Sequence, residues 1–197
     1  MAGGKWSHQT KAGYTYDVLL QEEEADCGLC WVAMVVNLMG QGKPTSDIIQ
    51  KNVPRGAYKK STRDRAGMKA TPLATLGLAN ETHSDGTVID SLRSALAAYK
   101  IPSTSHKGGD VQRAVLTATP QRPVIARIGW RPSNSGHWVV VPRVSGSTLF
   151  ILDPYFGFSI NIGTAGYVAQ WRQGGTSGSA PEENVSGDFT PFWLQLD

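Results

Sequence analysis

Ten consecutive residues from Cys27 to Val36, reading Cys-Gly-Leu-Cys-Trp-Val-Ala-Met-Val-Val, carry no charge. Leu29, Val32, Val36 and Met39 recur at helical spacing, while Trp31, Val35 and Leu38 fill the remaining faces. A helix over about residues 27–39 that is apolar on every side must cross the centre of a domain, since any exposed face would leave apolar surface in water. Asp26 is the expected N-cap, and Glu22, Glu23 and Glu24 place negative charge near the positive end of the helix dipole. Gly40 and Gly42 supply the stop.

The rest of the chain has to cover that helix. Residues 1–13 are polar and are expected to form a flexible N-terminus ahead of a single domain over 14–197. Tyr14 to Leu20 alternates loosely and predicts a short extended segment. Pro44 to Asp47 opens a second helix carrying Ile48 and Ile49, and Thr71-Pro72 opens another through about Leu78. Val88, Leu92, Leu96 and Tyr99 mark an amphipathic helix that Ile101-Pro102 ends, and Gly109-Asp110 introduces one from Val111 to about Thr117. From Pro123 the pattern turns to β-rich runs at 123–128, 136–141, 148–152 and 158–162, with Ser145-Gly146 as a hairpin signal. Tyr167 to Trp171 is expected to be a last short helix, 173–188 a Gly/Ser-rich loop, and 192–196 a terminal strand. Helices over 14–122 followed by antiparallel strands over 123–197 indicate an α+β protein. Its N-terminal helical lobe, with the Cys-bearing helix at its centre, packs on a C-terminal β lobe.

Several function classes are disfavoured by composition. The apolar fraction of 40% and charged fraction of 18% are ordinary for a globular chain, and the net charge of +3 is mild. Basic residues cluster only at Lys59, Lys60, Arg63 and Arg65, which reads as a solvated loop rather than a nucleic-acid site. No stretch approaches the roughly 18 apolar residues of a membrane span, and the first twenty residues hold no apolar signal core. Two cysteines in 197 residues make no disulfide framework and fit a reducing, cytoplasmic site of action, reached without a signal peptide if the protein is exported. Zinc fails on ligand count, with His8, His83 and His106 widely scattered. A Cys-x-x-Cys oxidoreductase would need a preceding strand in βαβ order, which is missing.

What remains is nucleophilic chemistry. Cys27 at a helix start can be a nucleophile, and its own backbone N–H, unused by the helix, can donate to an oxyanion. Gln21 stands six positions ahead and offers a neutral amide donor. His137 opens the strand Trp138-Val-Val-Val141, and Asp153 closes the strand Leu149-Phe-Ile-Leu152. A two-strand hairpin would return Asp153 to His137, within reach of Nδ1, as base and orienting group. Asn134 and Asn161 are the other orienting candidates, but neither ends a strand in that register. Cys30 reads as a small buried core residue. No cofactor is required.

The segment from Leu19 to Val35 resembles the active-site segment of bacteriocin-processing leader peptidases fused to bacterial ABC exporters, which belong to the papain-like clan. It has a Gln, five residues, then an acidic-Cys-Gly-Leu helix start with Ala-Met further along. His137 to Val141 with Asp153-Pro154 and Gly157 is similar to the same family's His-strand-hairpin-Asp-Pro segment. The resemblance implies Cys27 as nucleophile, His137 as base, Asp153 as orienting group and Gln21 as oxyanion donor, with cleavage after small residues such as Gly-Gly. The string Cys-Gly-Leu-Cys-Trp also resembles the plant papain motif, in which the second Cys is catalytic. Spacing selects Cys27, because the family Gln stands six before its nucleophile and Cys30 lies nine after Gln21.

The expectation is a cysteine endopeptidase acting on a protein or peptide. A free-standing papain-like domain favours a secreted antibacterial or host-directed effector toxin, whose producer would need an immunity protein capping the cleft. Alternatives are leader-peptide processing and a transglutaminase or deamidase using the same triad. A non-catalytic binding module is disfavoured by the intact Cys–His–Asp–Gln set.

Overall fold

The computed structural model describes residues 4–22, 27–52, 89–107, 111–130, 136–162, 168–172 and 184–197. A two-stranded hairpin comes first, β1 (Lys5–Lys11) and β2 (Tyr14–Leu20), paired antiparallel from Lys5↔Leu20 to Lys11↔Tyr14. The helices α1 (Cys27–Leu38) and α2 (Ser46–Asn52) follow, and then α3 (Ile89–Ala98). β3 (Ser103–Lys107) and the short α4 (Val111–Val115) lead into β4 (Val124–Trp130), β5 (Gly136–Ser145), β6 (Thr148–Asp153) and β7 (Gly157–Ile162). β8 (Val168–Arg172) and β9 (Asn184–Leu196) complete the described chain.

Seven of these strands form one antiparallel sheet. Its order is β3-β9-β4-β5-β6-β7, with β8 also on β9. The long β9 lies along β4 on one flank, while its other flank is shared end to end by β8, opposite 184–188, and β3, opposite 192–196. Both faces of the sheet are covered, so its central strands need apolar side chains in both directions. Trp138 and Val140 of β5 join the core that holds α1, β2 and α3, while Val139 and Val141 join a second core that includes Ala114 and Val115 of α4. Every residue from Cys27 to Val36 is buried, as expected for a helix apolar all round. Among the described residues no helix is long and apolar enough to cross a membrane.

Three expectations are corrected. Residues 5–11, expected to be frayed, form β1. A polar strand is stable there because it pairs fully with β2, and Tyr14 and Tyr16 dock the hairpin on the sheet. Their rings meet Phe150 and Phe158 edge-on at 4.6 and 5.1 Å. Tyr167 to Trp171 was expected to be a short helix, but Val168–Arg172 is a strand because its backbone pairs with β9 from Val168↔Asp188 to Arg172↔Asn184. Asn184–Asp188, assigned to the Gly/Ser-rich loop, belongs to β9 for the same reason. β3 was not anticipated: Ser103 to Lys107 has no apolar run, and only pairing with Phe192–Leu196 makes it a strand. The Asp26 cap, the basic stretch at 59–65 and the helix expected over 71–78 lie outside the described residues.

Candidate active site

Cys27 is the first residue of α1, and its thiol is free and buried. His137, the second residue of β5, is only 6% exposed, and Asp153, the last of β6, is fully buried. His137 Nε2 lies 2.9 Å from Asp153 Oδ1. A further side-chain hydrogen bond joins His137 to Cys27. One imidazole therefore links a carboxylate on the sheet to a sulfur at a helix start. The sequence reading placed the carboxylate at Nδ1, whereas the structure engages Nε2 and leaves Nδ1 for the sulfur. The ring carries two nitrogens in fixed directions, so the assignment of one determines the role of the other.

The meeting of His137 and Asp153 depends on a defect in the hairpin. Near the turn, Ser145 faces Thr148 and Arg143 faces Phe150; further on, Val140 faces Leu152, so β5 holds one extra residue. Pro142 lies in this bulge, where a residue without an N–H is best tolerated. Carried on from Val140↔Leu152, the register sets His137 against position 155, two beyond Asp153 and so on its side of the strand. Without the extra residue the two side chains would point to opposite faces.

Asp153 Oδ1 also accepts from the N–H groups of Tyr155 at 2.6 Å and Phe156 at 3.2 Å, which ties the carboxylate into the turn that follows it. Gln21 reaches the same turn, its backbone N–H donating to Pro154 O at 2.8 Å, and its Oε1 is buried. All four residues singled out in the sequence thus converge on one end of the β5–β6 hairpin.

Electrostatics follow from this geometry. Burial works against a charged imidazole, but the charge of Asp153 and its hydrogen bond, joined by the hydrogen bond and charge of Cys27, outweigh it. They raise His137 from 6.5 to about 10. His137 is therefore an imidazolium at neutral pH. One residue escaped the sequence reading: Arg127 on β4, directly opposite Trp138. Burial lowers its pKa, while the nearby Cys27 sulfur acts in the other direction. Trp138 also meets Trp31 of α1, ring centroids 6.3 Å apart, so α1 lies over the face bearing Arg127. Nothing in the local sequence marks Arg127, because its position comes from the β4–β5 register.

Cys30 is fully buried in the core one turn into α1. Asn134 lies outside the described residues, and Asn161 is on β7, facing Leu149. Among the described residues no three His, Cys, Asp or Glu side chains form a group that could hold a metal.

No protein-family model matches the chain, and no curated protein matches it either. Among solved structures, the peptidase domain of Streptococcus ComA, a bi-functional ABC transporter involved in a quorum sensing pathway, is similar at a TM-score of 0.53. It shares 15% identity, over 92% of this chain and 97% of that one. The peptidase domain of Streptococcus mutans ComA gives 0.46 at 13% identity, over 91% and 98%. A double glycine motif protease from an AMS/PCAT transporter, solved in complex with the leader peptide, gives 0.44 at 15% identity, over 99% and 94%. The first of these carries the comparison, and it is a likeness of fold. The chain is thus a mixed α/β protein with antiparallel sheets whose fold is similar to that of a papain-like peptidase domain.

Proposed function

We propose that this chain is a cysteine endopeptidase with Cys27 as nucleophile. One observation carries the reading: a buried imidazole bonded on one side to Asp153 and on the other to the thiol that begins α1. In this reading Cys27 Sγ, as thiolate, attacks the scissile carbonyl carbon. The Cys27 N–H and the Gln21 side-chain amide hold the oxyanion. The His137 imidazolium then gives its proton to the leaving amine as the C–N bond breaks, leaving a thioester. Water attacks the thioester, the imidazole takes a proton from it, and the sulfur leaves as thiolate. Asp153 keeps the ring oriented and compensates its charge throughout.

Leader-peptide processing, with cleavage after Gly-Gly, is favoured over the effector toxin. The fold is similar to that of a peptidase domain of an ABC transporter, and the Gln21–Cys27 and His137–Asp153 segments resemble that group in sequence. Neither observation supports a toxin or an immunity partner.

The test is hydrolysis of a library of Gly-Gly-containing peptides by the purified protein, with mass spectrometry of the products. Cys27→Ala should reduce kcat by roughly 10⁴-fold or more, as loss of a nucleophile does. Cys30→Ala should retain turnover and lose mainly stability. Retained hydrolysis in Cys27→Ala overturns the assignment. Products carrying an added amine rather than a free carboxylate would instead indicate acyl transfer by the same triad.

A further inference from the structure

The N-terminal hairpin touches the site in a way that its polar sequence does not announce. Gln9, on β1 opposite Tyr16, sends its side chain to β7, where the Phe158 N–H donates to Gln9 Oε1 at 2.7 Å. Gln9 Nε2 donates to Ser7 Oγ at 3.1 Å, which fixes the orientation of the amide and keeps the oxygen toward Phe158. Among the described residues β7 is an edge of the large sheet, and the Gln9 amide oxygen satisfies an N–H on it that no described strand takes. Gly157, between Phe158 and the turn, has φ +87°, and a Cβ there would lie 2.7 Å from Gln9 Oε1 and 2.8 Å from Nε2. The amide therefore occupies the space that a side chain at 157 would need.

The turn clamped in this way is the one that carries Asp153. It runs from Asp153, which faces Gly157 across the β6–β7 pair, through Pro154, Tyr155 and Phe156. The hairpin grips both of its ends. Gln21, just beyond β2, donates its backbone N–H to Pro154 O, and Gln9 on β1 accepts from Phe158. Between those grips, Tyr155 and Phe156 donate to the same Asp153 oxygen that meets His137.

We propose that Gln9 is a positioning residue: by clamping the 153–158 turn onto the N-terminal hairpin, it holds Asp153 Oδ1 on His137 Nε2. The inference rests on the peptidase reading only for its effect on turnover, because the His–Asp pair can be observed directly. If the clamp is released, the turn can drift, and a small displacement at a catalytic pair has a large cost in rate. Asp153 is also the main support of the His137 proton, so a looser pair should hold that proton less tightly.

The experiment follows the titration of His137 by NMR in protein labelled with ¹⁵N-histidine, its signal assigned with His137→Gln, alongside kcat and KM on a Gly-Gly peptide. Gln9→Ala should move the His137 titration to lower pH. It should also reduce kcat on the order of 10-fold, with KM nearly unchanged. Gln9→Glu keeps an acceptor for the Phe158 N–H and should restore most of both. Gln9→Asn, one methylene too short for that contact but still polar, should resemble Gln9→Ala; it carries the test if the alanine variant does not fold. A folded Gln9→Ala or Gln9→Asn whose His137 titrates as in the parent protein overturns the proposal, as does a Gln9→Glu that behaves like Gln9→Ala. A shifted titration in a protein that cuts no peptide upholds the clamp and removes the peptidase reading instead.

Discussion

Asp153 uses one oxygen for three hydrogen bonds, to the His137 ring and two backbone N–H groups, while its other oxygen is buried with no hydrogen-bond partner among the described residues. Leaving a buried acceptor bare is costly, so the carboxylate is retained for something a neutral acceptor would not supply. That something is charge, which is first among the influences that raise the His137 pKa against burial. Asp153→Asn keeps a carbonyl oxygen for all three bonds, removes the charge and puts an NH2 group where the bare oxygen stands. The variant should fold, and its His137 should titrate well below about 10, pulling the alkaline limb of the pH–kcat profile toward neutrality. An unmoved limb would mean that the charge does not hold the proton. Asp153→Ala loses the turn bonds as well and should cost about 1–3 kcal/mol, read from chemical denaturation. The types and spacings of Gln21, Cys27, His137 and Asp153 were legible because hairpins and helix starts are local. The bulge at Pro142 that brings His137 and Asp153 to one face was not legible, and neither was the ring nitrogen that faces Asp153, which the rotamer of His137 decides. Arg127 was not legible either, because only strand pairing brings it near the sulfur.

At the scale of elements, legibility followed side-chain pattern and failed where backbone pairing alone decides. α1 was readable because a helix apolar on all sides has few alternatives, and β4 to β7 were readable as apolar runs between turns. β1, β3 and β8 were missed, being short or polar strands whose only warrant is a partner distant in sequence. β1 had a second disguise. Its turn to β2 is a two-residue loop in which Ala12 and Gly13 both have positive φ, 50° and 77°. Such turns favour Asn-Gly, and an alanine held there both hides the hairpin from a reader and strains it. Ala12→Asn should therefore raise stability by about 0.5–1 kcal/mol, measured by urea denaturation, without altering the His137 titration. A destabilised Ala12→Asn would show that the loop is not held in this conformation by the hairpin.

Across the whole molecule, His137 joins parts that the chain keeps far apart. It stands on β5, bonds to the end of β6, and bonds to the first residue of α1, whose body fills the core on one face of the sheet. Folding therefore takes an imidazole from water, where it titrates near 6.5, into a site where it titrates at about 10. The folded chain holds that proton more tightly than the unfolded chain, so this linkage favours folding. Its contribution is complete below about pH 6.5 and fades as pH rises to about 10, where the folded ring gives up its proton as the unfolded one already has. His137→Gln removes the titration while keeping a polar side chain of similar reach. The difference in unfolding free energy between parent and His137→Gln should be largest near pH 6 and shrink steadily by pH 10. Equal differences at the two ends would mean that the folded ring binds its proton no better than a free imidazole, and the charged pair between helix and sheet would then be absent. The same proton is the one donated to the leaving amine in the proposed reaction, so turnover should fall only as pH passes about 10, where this share of stability is already spent.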